Sequence, residues 1–298
     1  DSIAALLHSF PVKMNGVTLI AAPMFHAWGW MHHRMATVLD NTQILLREPE
    51  PERLLALAQA YEVDTIITVP VVLKRMVDLP RKVKRSYDLS SLTCVAVSGS
   101  AIPGDLATQF MDDFGDVLYN LYGTTEAAYA TIATPEDLRE DPHTAGRPMP
   151  GVRVEVLDRK GRAVPRGADG RVFVRSRTSI DEYKADGSSG SVKGMVPTGD
   201  LGCLDEQGRL TIKGRADDVV VTGGENVHPT EVEDVLRGHP LLADVAVTGR
   251  PDPVYGSVLV AHVVVLPGAV VSDDDLLQWA RSRLGPHHRP REVNRVEA

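Results

Sequence analysis

Cysteine is nearly absent: Cys94 and Cys203 are the two in 298 residues, and they lie in apolar or turn settings without metal-ligand spacing. No disulfide framework is implied, and both thiols suit a reducing interior, where they act as small hydrophobes. A long apolar run is also lacking. The most hydrophobic stretch, Val258 to Val271, is broken by His262, Pro267 and Gly268, so it does not reach bilayer length. No signal-peptide pattern opens the sequence. These features lead to the expectation of a cytoplasmic protein without a transmembrane segment, leaving room only for peripheral membrane contact. Positive charge is in deficit, with 32 Lys and Arg against 40 Asp and Glu, for a formal charge of −8. This balance argues against nucleic acid as a partner, and the basic cluster Arg81-Lys82-Val83-Lys84-Arg85 reads as a solvated helix end. No G-x-G-x-x-G opens a strand-helix-strand unit, which counts against a dinucleotide-dependent dehydrogenase. The Gly-Ser run in DGSSGSVKG misses the phosphate-loop spacing and has no helical sequence behind it, so it reads as a surface loop.

What is present is a regular alternation. Hydrophobic residues make up 43% of the chain, ample for one large domain or two unequal ones. From Thr18 to about Tyr122, the runs TLIAAP, QILL, DTIITVP, LTCVAVSG and DVLYNLYG read as strands. Between the last two, Leu106, Phe110, Met111 and Phe114 recur at helical spacing. This is a parallel α/β pattern. From Gly146 to Gly214 the texture changes to short alternating strands with Gly and Asp turns, which suggests an antiparallel or barrel-like appendage. After Gly214 come DVVVTGG, a helix from about Pro229 to Arg237, two strands (ADVAVTG and VLVAHVVV), and a helix from Ser272 to Leu284. Pro229 with the following glutamates and Ser272 with its aspartates mark the helix starts. The expected fold class is therefore α/β: a large α/β domain with a β-rich subdomain, spanning 1–214, and a small α+β C-terminal domain spanning 215–298.

The chemistry-bearing stretch is YNLYGTTEAAYATI, where an apolar strand runs into a glycine, two threonines and a glutamate. In open parallel sheets ligands bind beyond the carboxyl ends of the strands. Both Ser98-Gly99-Ser100-Ala101-Ile102 and Gly123-Thr124-Thr125-Glu126 follow such ends. If their strands are neighbours, the two loops form one site. The Gly-Thr-Thr-Glu turn offers N–H groups and hydroxyls for phosphate oxygens and one carboxylate for a hard cation such as Mg²⁺. Tyr122 suits stacking on a purine and Asn120 a hydrogen bond to a base edge. The same residues also suit plainer roles, Tyr122 as a core aromatic and Glu126 as a solvated turn acid. In PTGDLG, Asp200 sits between turn glycines and suits either turn chemistry or a ribose diol. In GRADDVVVTGGENVHPTEVE, Arg215, the Asp217-Asp218 pair and Gly223-Gly224 read as an interdomain joint and a loop open to close approach.

Taken together and in order, Pro23-Met24-Phe25-His26, SGSAI, NLYGTTE, PTGDLG, KGRADD and TGGENVHPTEVE resemble the adenylate-forming superfamily, and most closely its fatty acyl-CoA synthetases. The resemblance covers nearly the whole chain. It implies a large α/β domain with a β-rich subdomain and a small mobile C-terminal lid. It further implies ATP, Mg²⁺ and CoA as substrates and cofactors, with a fatty acid as the acid partner. On this resemblance Gly99 and Ser100 line the adenine pocket, Asn120 and Tyr122 contact the base, Gly123 and Thr124 are nucleotide-binding, and Thr125 holds phosphate. Glu126 is the metal ligand, and Thr125, Glu126 and Arg215 are the catalytic set. Asp200 binds the ribose hydroxyls, with Arg215 on the same side, and Asp217 is the hinge. The loop Gly223-Gly224-Glu225 approaches the acyl-adenylate and the CoA thiol route, while His26, Trp28 and Gly29 gate or line the acyl pocket. Two lysine-bearing segments of the family, a phosphate loop ahead of Pro23 and a C-terminal catalytic lysine, are not in this sequence. The expectation is that an upstream portion precedes Asp1 and a further segment follows Ala298. Without them, adenylation should be slow, while thioester formation from a preformed acyl-adenylate partly survives. Two alternatives follow: an acyl-AMP ligase that delivers to a carrier protein, and a catalytically incomplete nucleotide-binding fragment.

Overall fold

The computed structural model describes residues 7, 9–124, 128–176, 192 and 194–296. The chain divides into two compact units, Asp1–Thr198 with Cys203–Ile212, and Gly199–Gly202 with Lys213–Ala298.

In the first unit, β1 (Val17–Ile20), α1 (Ala27–Val38), β2 (Thr42–Leu45), α2 (Pro51–Ala60), β3 (Thr65–Thr68), α3 (Pro70–Val77), α4 (Arg81–Lys84), β4 (Cys94–Val97), α5 (Gly104–Phe114) and β5 (Leu118–Thr124) alternate along the chain. The five strands pair in parallel in the order β2-β1-β3-β4-β5. Successive strand residues point to opposite faces, and both faces are covered. Leu19, Ile66 and Val95 pack with Leu54, Leu73 and Phe110 on one side. Ile20, Ile67 and Ala96 pack with Trp28 and Met35 on the other. A parallel sheet buried on both faces needs continuous apolar runs rather than alternation, which is why TIIT and CVAV read so clearly. Cys94 is one of these buried residues, and desolvation pushes its thiol well above the ordinary range. It is a packing residue.

The chain then continues through β6 (Ala128–Ala133), α6 (Pro135–Glu140), β7 (Thr144–Pro148), β8 (Arg153–Leu157), β9 (Gly170–Arg175), β10 (Val196–Leu204) and β11 (Leu210–Arg215). These strands pair antiparallel where their register is given, as the alternating sequence suggests. They do not form a separate appendage, however. The order β5-β6-β7-β11-β10-β9-β8 extends the parallel strands into one eleven-stranded sheet. Gly146 makes the junction possible: its φ is +84°, and a Cβ there would lie 2.0 Å from the backbone of Ile132 on β6. Most of DGSSGSVKG lies outside the described residues.

The second unit contains β12 (Val220–Thr222), β13 (Glu225–Val227), α7 (Pro229–Arg237), β14 (Leu242–Asp252), β15 (Gly256–Val265), α8 (Asp273–Arg283), a 3₁₀ turn at Pro286–His288 and β16 (Glu292–Arg295). Ser272 caps α8 through a reciprocal box with Asp275. The sheet order is β14-β15-β16, and β16 runs parallel to β15. That strand is invisible in the sequence because HHRPREVNRVEA has too few apolar residues to show a period. The α/β class with a small separate α+β unit is borne out by the architecture.

Gly146→Ala should destabilise the protein by at least about 3 kcal/mol, since strain at positive φ and a backbone clash act together. Denaturant unfolding of the variant would show it, and a loss below 1 kcal/mol would mean that the β6–β7 junction is looser than its geometry.

Candidate functional site

The SGSAI loop follows β4, and NLYGT belongs to β5. These strands are adjacent and parallel, with Val97 opposite Asn120. The neighbour condition is thus met, and the loop carrying Gly99 and Ser100 lies at the same carboxyl edge as Asn120 to Thr124. Gly99 has φ +106°, a conformation that L side chains rarely adopt. Asn120 is buried, whereas Tyr122 is half-buried and packs beside Ala130 and Val154. One expectation needs correction here. Gly123 and Thr124 are not turn residues: β5 runs through them and pairs with β6, with a register shift between Tyr122 and Gly123. The antiparallel partner continues the ladder where a free parallel strand would have ended. Thr125 and Glu126 lie outside the described residues.

The strand order 2-1-3-4-5 reverses direction at β1, so the crevice beyond β1 and β3 is the topological switch point, the ordinary ligand position in such sheets. Pro23-Met24-Phe25-His26 follows β1 and leads into α1. The helical position of Trp28 and Gly29 was not anticipated, because AWGWMHHRMATV mixes Trp28, Trp30, His32, His33, Arg34 and Thr37 with its apolar residues. Gly29 lets α1 press on the end of β1: a Cβ there would come within 2.6 Å of the Pro23 carbonyl oxygen. Trp28 is buried, and its indole N–H donates to the Thr68 carbonyl at the end of β3, at 2.8 Å. This bond ties α1 across the switch point. His26, by contrast, is exposed at the helix N-terminus, with its ring 4.4 Å from that of the 85% exposed Phe25.

One turn beyond Trp28 lies a residue that the sequence does not single out. His32 is 1% exposed, its ring 4.0 Å from the Trp28 ring and 6.0 Å from that of Phe10. Its Nδ1 lies 2.9 Å from the Trp28 carbonyl oxygen. A carbonyl only accepts, so Nδ1 carries the proton and Nε2 is a bare acceptor. Burial lowers the pKa of His32 from 6.5 to about 4, which keeps the ring neutral. Neither His32 Nε2 nor the hydroxyl of the fully buried Thr68 has a hydrogen-bond partner. Tyr129, edge-on to Trp28 at 6.4 Å, has its hydroxyl pushed up to about 12 by burial. The only sequence signal for His32 is its i, i+4 spacing from Trp28.

In the second unit, Asp200 is buried and Arg215 Nη1 approaches its Oδ1 at 3.5 Å. The Arg215 guanidinium lies over Gly199, whose φ is +79°, and the Ala216 N–H donates to the Gly199 carbonyl. Asp200 and Arg215 are thus brought together. Asp217 is exposed in the turn after β11. Gly223 and Gly224, at φ +58° and +86°, form the two-residue turn between β12 and β13, and the Gly223 N–H donates to the Tyr255 carbonyl. Glu225, exposed, opens β13. Two consecutive positive-φ residues are the requirement of a tight hairpin turn of this kind. Among the described residues, no group of three His, Cys, Asp or Glu side chains is placed to hold a metal ion.

Residues 2–183 match the family described as AMP-binding enzyme, and residues 231–298 match its C-terminal domain. The chain is 31% identical, over 92% of its length, to feruloyl-CoA synthase of an Amycolatopsis species, covering 56% of that protein. It is likewise 31% identical, over 89% of its length, to the fatty acid–[acyl-carrier-protein] ligase ScoC of Streptomyces coeruleorubidus, covering 52% of it. Among solved structures, the amide bond synthetase McbA of Marinactinospora thermotolerans superposes on the whole chain with a TM-score of 0.91 at 32% identity, and 61% of that protein is covered. The chain spans about half the length of the curated relatives it matches.

Between pH 6.5 and 4 the unfolded chain protonates His32 more readily than the folded one. Stability from this group is therefore complete above 6.5 and lost as the pH falls towards 4. The loss should be about 3 kcal/mol, at ~1.4 kcal/mol per pH unit. Denaturant unfolding of wild type and His32→Asn across this window would measure the difference, and parallel curves for the two proteins would contradict it.

Proposed function

The chain belongs to the AMP-binding enzyme family, and on that footing we propose that it serves an acid–thiol ligase that activates a carboxylic acid with ATP and transfers the acyl group to CoA. The observation that carries this reading is the shared carboxyl edge of β4 and β5, where Val97, just before the Gly99-Ser100 loop, lies opposite Asn120.

In the first step a carboxylate oxygen attacks the α-phosphorus of Mg-ATP, the bond to the bridging oxygen breaks, and pyrophosphate leaves with an acyl-adenylate formed. Catalysis of such a step is mainly positioning and neutralisation of phosphate charge. In this reading Gly99 and Ser100 border the adenine, Asn120 and Tyr122 contact the base, and Gly123, Thr124 and Thr125 bind phosphate oxygens. Mg²⁺ arrives with ATP as substrate, and the Glu126 carboxylate is its proposed ligand. Asp200 accepts hydrogen bonds from the ribose hydroxyls, with Arg215 on the same side; the Asp200–Arg215 approach supports that pairing of roles.

In the second step a thiolate sulfur attacks the acyl carbonyl carbon, the bond to the phosphate oxygen of AMP breaks, and a thioester forms. This step is proposed to turn on Asp217 as a hinge between functional domains 1–214 and 215–298, bringing the Gly223-Gly224-Glu225 turn to the adenylate. The acid is proposed to be a fatty acid, entering by His26, Trp28 and Gly29. ScoC, named for transfer to an acyl carrier protein, favours a second reading in which a carrier thiol replaces CoA.

Mass-spectrometric product analysis with Mg-ATP, CoA, a carrier protein and a panel of alkyl and aryl acids tests the reaction. Acyl-CoA is the expected product; acyl-carrier product alone would move the assignment to the second reading, and neither acyl-AMP nor any thioester would remove it. Separately, Asp200→Ala should weaken AMP binding roughly tenfold to a hundredfold, the scale for losing hydrogen bonds to a charged group. Calorimetric titration with AMP, alongside a thermal melt to confirm folding, reads this directly, and an unchanged Kd would exclude Asp200 from the ribose.

A further inference from the structure

The ring box behind Trp28 contains polar chemistry that a purely apolar acyl pocket does not need. His32 and Thr68 are both almost fully buried, and His32 Nε2 and Thr68 Oγ1 each lack a partner. Buried polar groups in folded proteins are nearly always satisfied, and an orphan in an otherwise apolar setting calls for an explanation. Trp28 stacks edge-on against the His32 ring and donates to the Thr68 backbone carbonyl, so His32, midway along α1, is tied through the indole to the end of β3 at the switch point. The Trp28 cluster also contains Phe10, Ile20, Ala22, Ile67 and Leu121, with Met24, Met31, Tyr119 and Tyr129 among the residues partly buried against it.

We propose that His32, through its bare Nε2 acceptor, selects acids whose acyl group carries a hydroxyl, which donates its hydrogen to that nitrogen. The proposal rests on the ligase reading above and names the class of acid that it takes. The direction of the bond is fixed by the structure: Nδ1 is committed as donor to the Trp28 carbonyl, so the group that meets Nε2 must be a donor. A carbonyl or ether oxygen on the acyl chain does not meet that requirement. Met24 and Met31, partly buried against the same cluster, are unbranched side chains whose soft thioethers change rotamer at small cost. An acid without the hydroxyl leaves Nε2 desolvated and unpaired. Sites built to bond a substrate hydroxyl discriminate strongly against the analogue that lacks it, for this reason.

The test uses two matched pairs, decanoic against 10-hydroxydecanoic acid and phenylpropenoic against 4-hydroxyphenylpropenoic acid. Affinities are read by calorimetry, and the His32 ring nitrogens by NMR of ¹⁵N-histidine-labelled protein. In at least one pair the hydroxylated acid should bind roughly tenfold or more tightly and should shift the Nε2 resonance while leaving Nδ1 nearly still. His32→Leu should bring the ratio towards one, while Thr68→Val, whose side chain shares the sheet face of Val97, should leave it in place. Equal affinity within both pairs, or a preference that survives in His32→Leu, overturns this assignment and leaves the ligase reading standing. If no acid of either pair binds, this assignment falls together with the acid site of the ligase reading. Turnover without a hydroxyl preference separates the two claims.

Discussion

Burial of the parallel sheet on both of its faces governs everything else in the larger unit. With Leu19, Ile66 and Val95 packed on one side and Ile20, Ile67 and Ala96 on the other, both faces are mainly apolar. The candidate residues Gly99, Ser100 and Asn120 to Thr124 lie at the carboxyl edge, where the strands end and their loops diverge. The strand order adds a second constraint, because reversal at β1 parts the loops after β1 and β3 and opens a crevice between them. The two candidate features of this unit, the Gly99 loop beside β5 and the Trp28 box, lie along this one edge.

The Trp28 indole joins these constraints. Its N–H satisfies the Thr68 carbonyl at the end of β3, its ring fills the space behind β1, and its own carbonyl sets the tautomer of His32. A neutral imidazole with a committed Nδ1 is a directional acceptor, and its direction comes from the helix rather than from the ring. Gly29 is part of the same arrangement, since any side chain there would push α1 off the strand end. One residue's hydrogen bonding thus decides both the packing of α1 and the chemistry available behind it.

The smaller unit relies on backbone conformation instead. Gly199 and the Gly223-Gly224 turn all have positive φ. At Gly199 the missing Cβ lets the Arg215 guanidinium lie over the backbone towards Asp200. At Gly223-Gly224 it permits the tight connection between β12 and β13. These glycines shape what can approach them, while α7, α8 and the β14-β15 pair supply the core that holds them.

Much of the fold was legible in the sequence, for a physical reason that differs from element to element. TIIT and CVAV announced buried strands because a parallel sheet requires unbroken apolar residues, and Pro229 and Ser272 marked helix starts because free N–H groups and fixed φ select for them. The motifs also placed Asp200 and Arg215 among the chemistry-bearing residues before any distance was known. Other features depend on contacts distant in sequence. The extension of β5 through Gly123 and Thr124 exists because β6 pairs with them, and β16 exists because β15 offers an edge. The merging of the β-rich segment into one sheet rests on β7 meeting β11. His32 carries no sequence mark beyond its spacing from Trp28. Its role as a buried acceptor comes from Trp28 and Phe10 closing around it, since desolvation and hydrogen-bond direction are properties of surroundings, and surroundings are set only when the chain is folded.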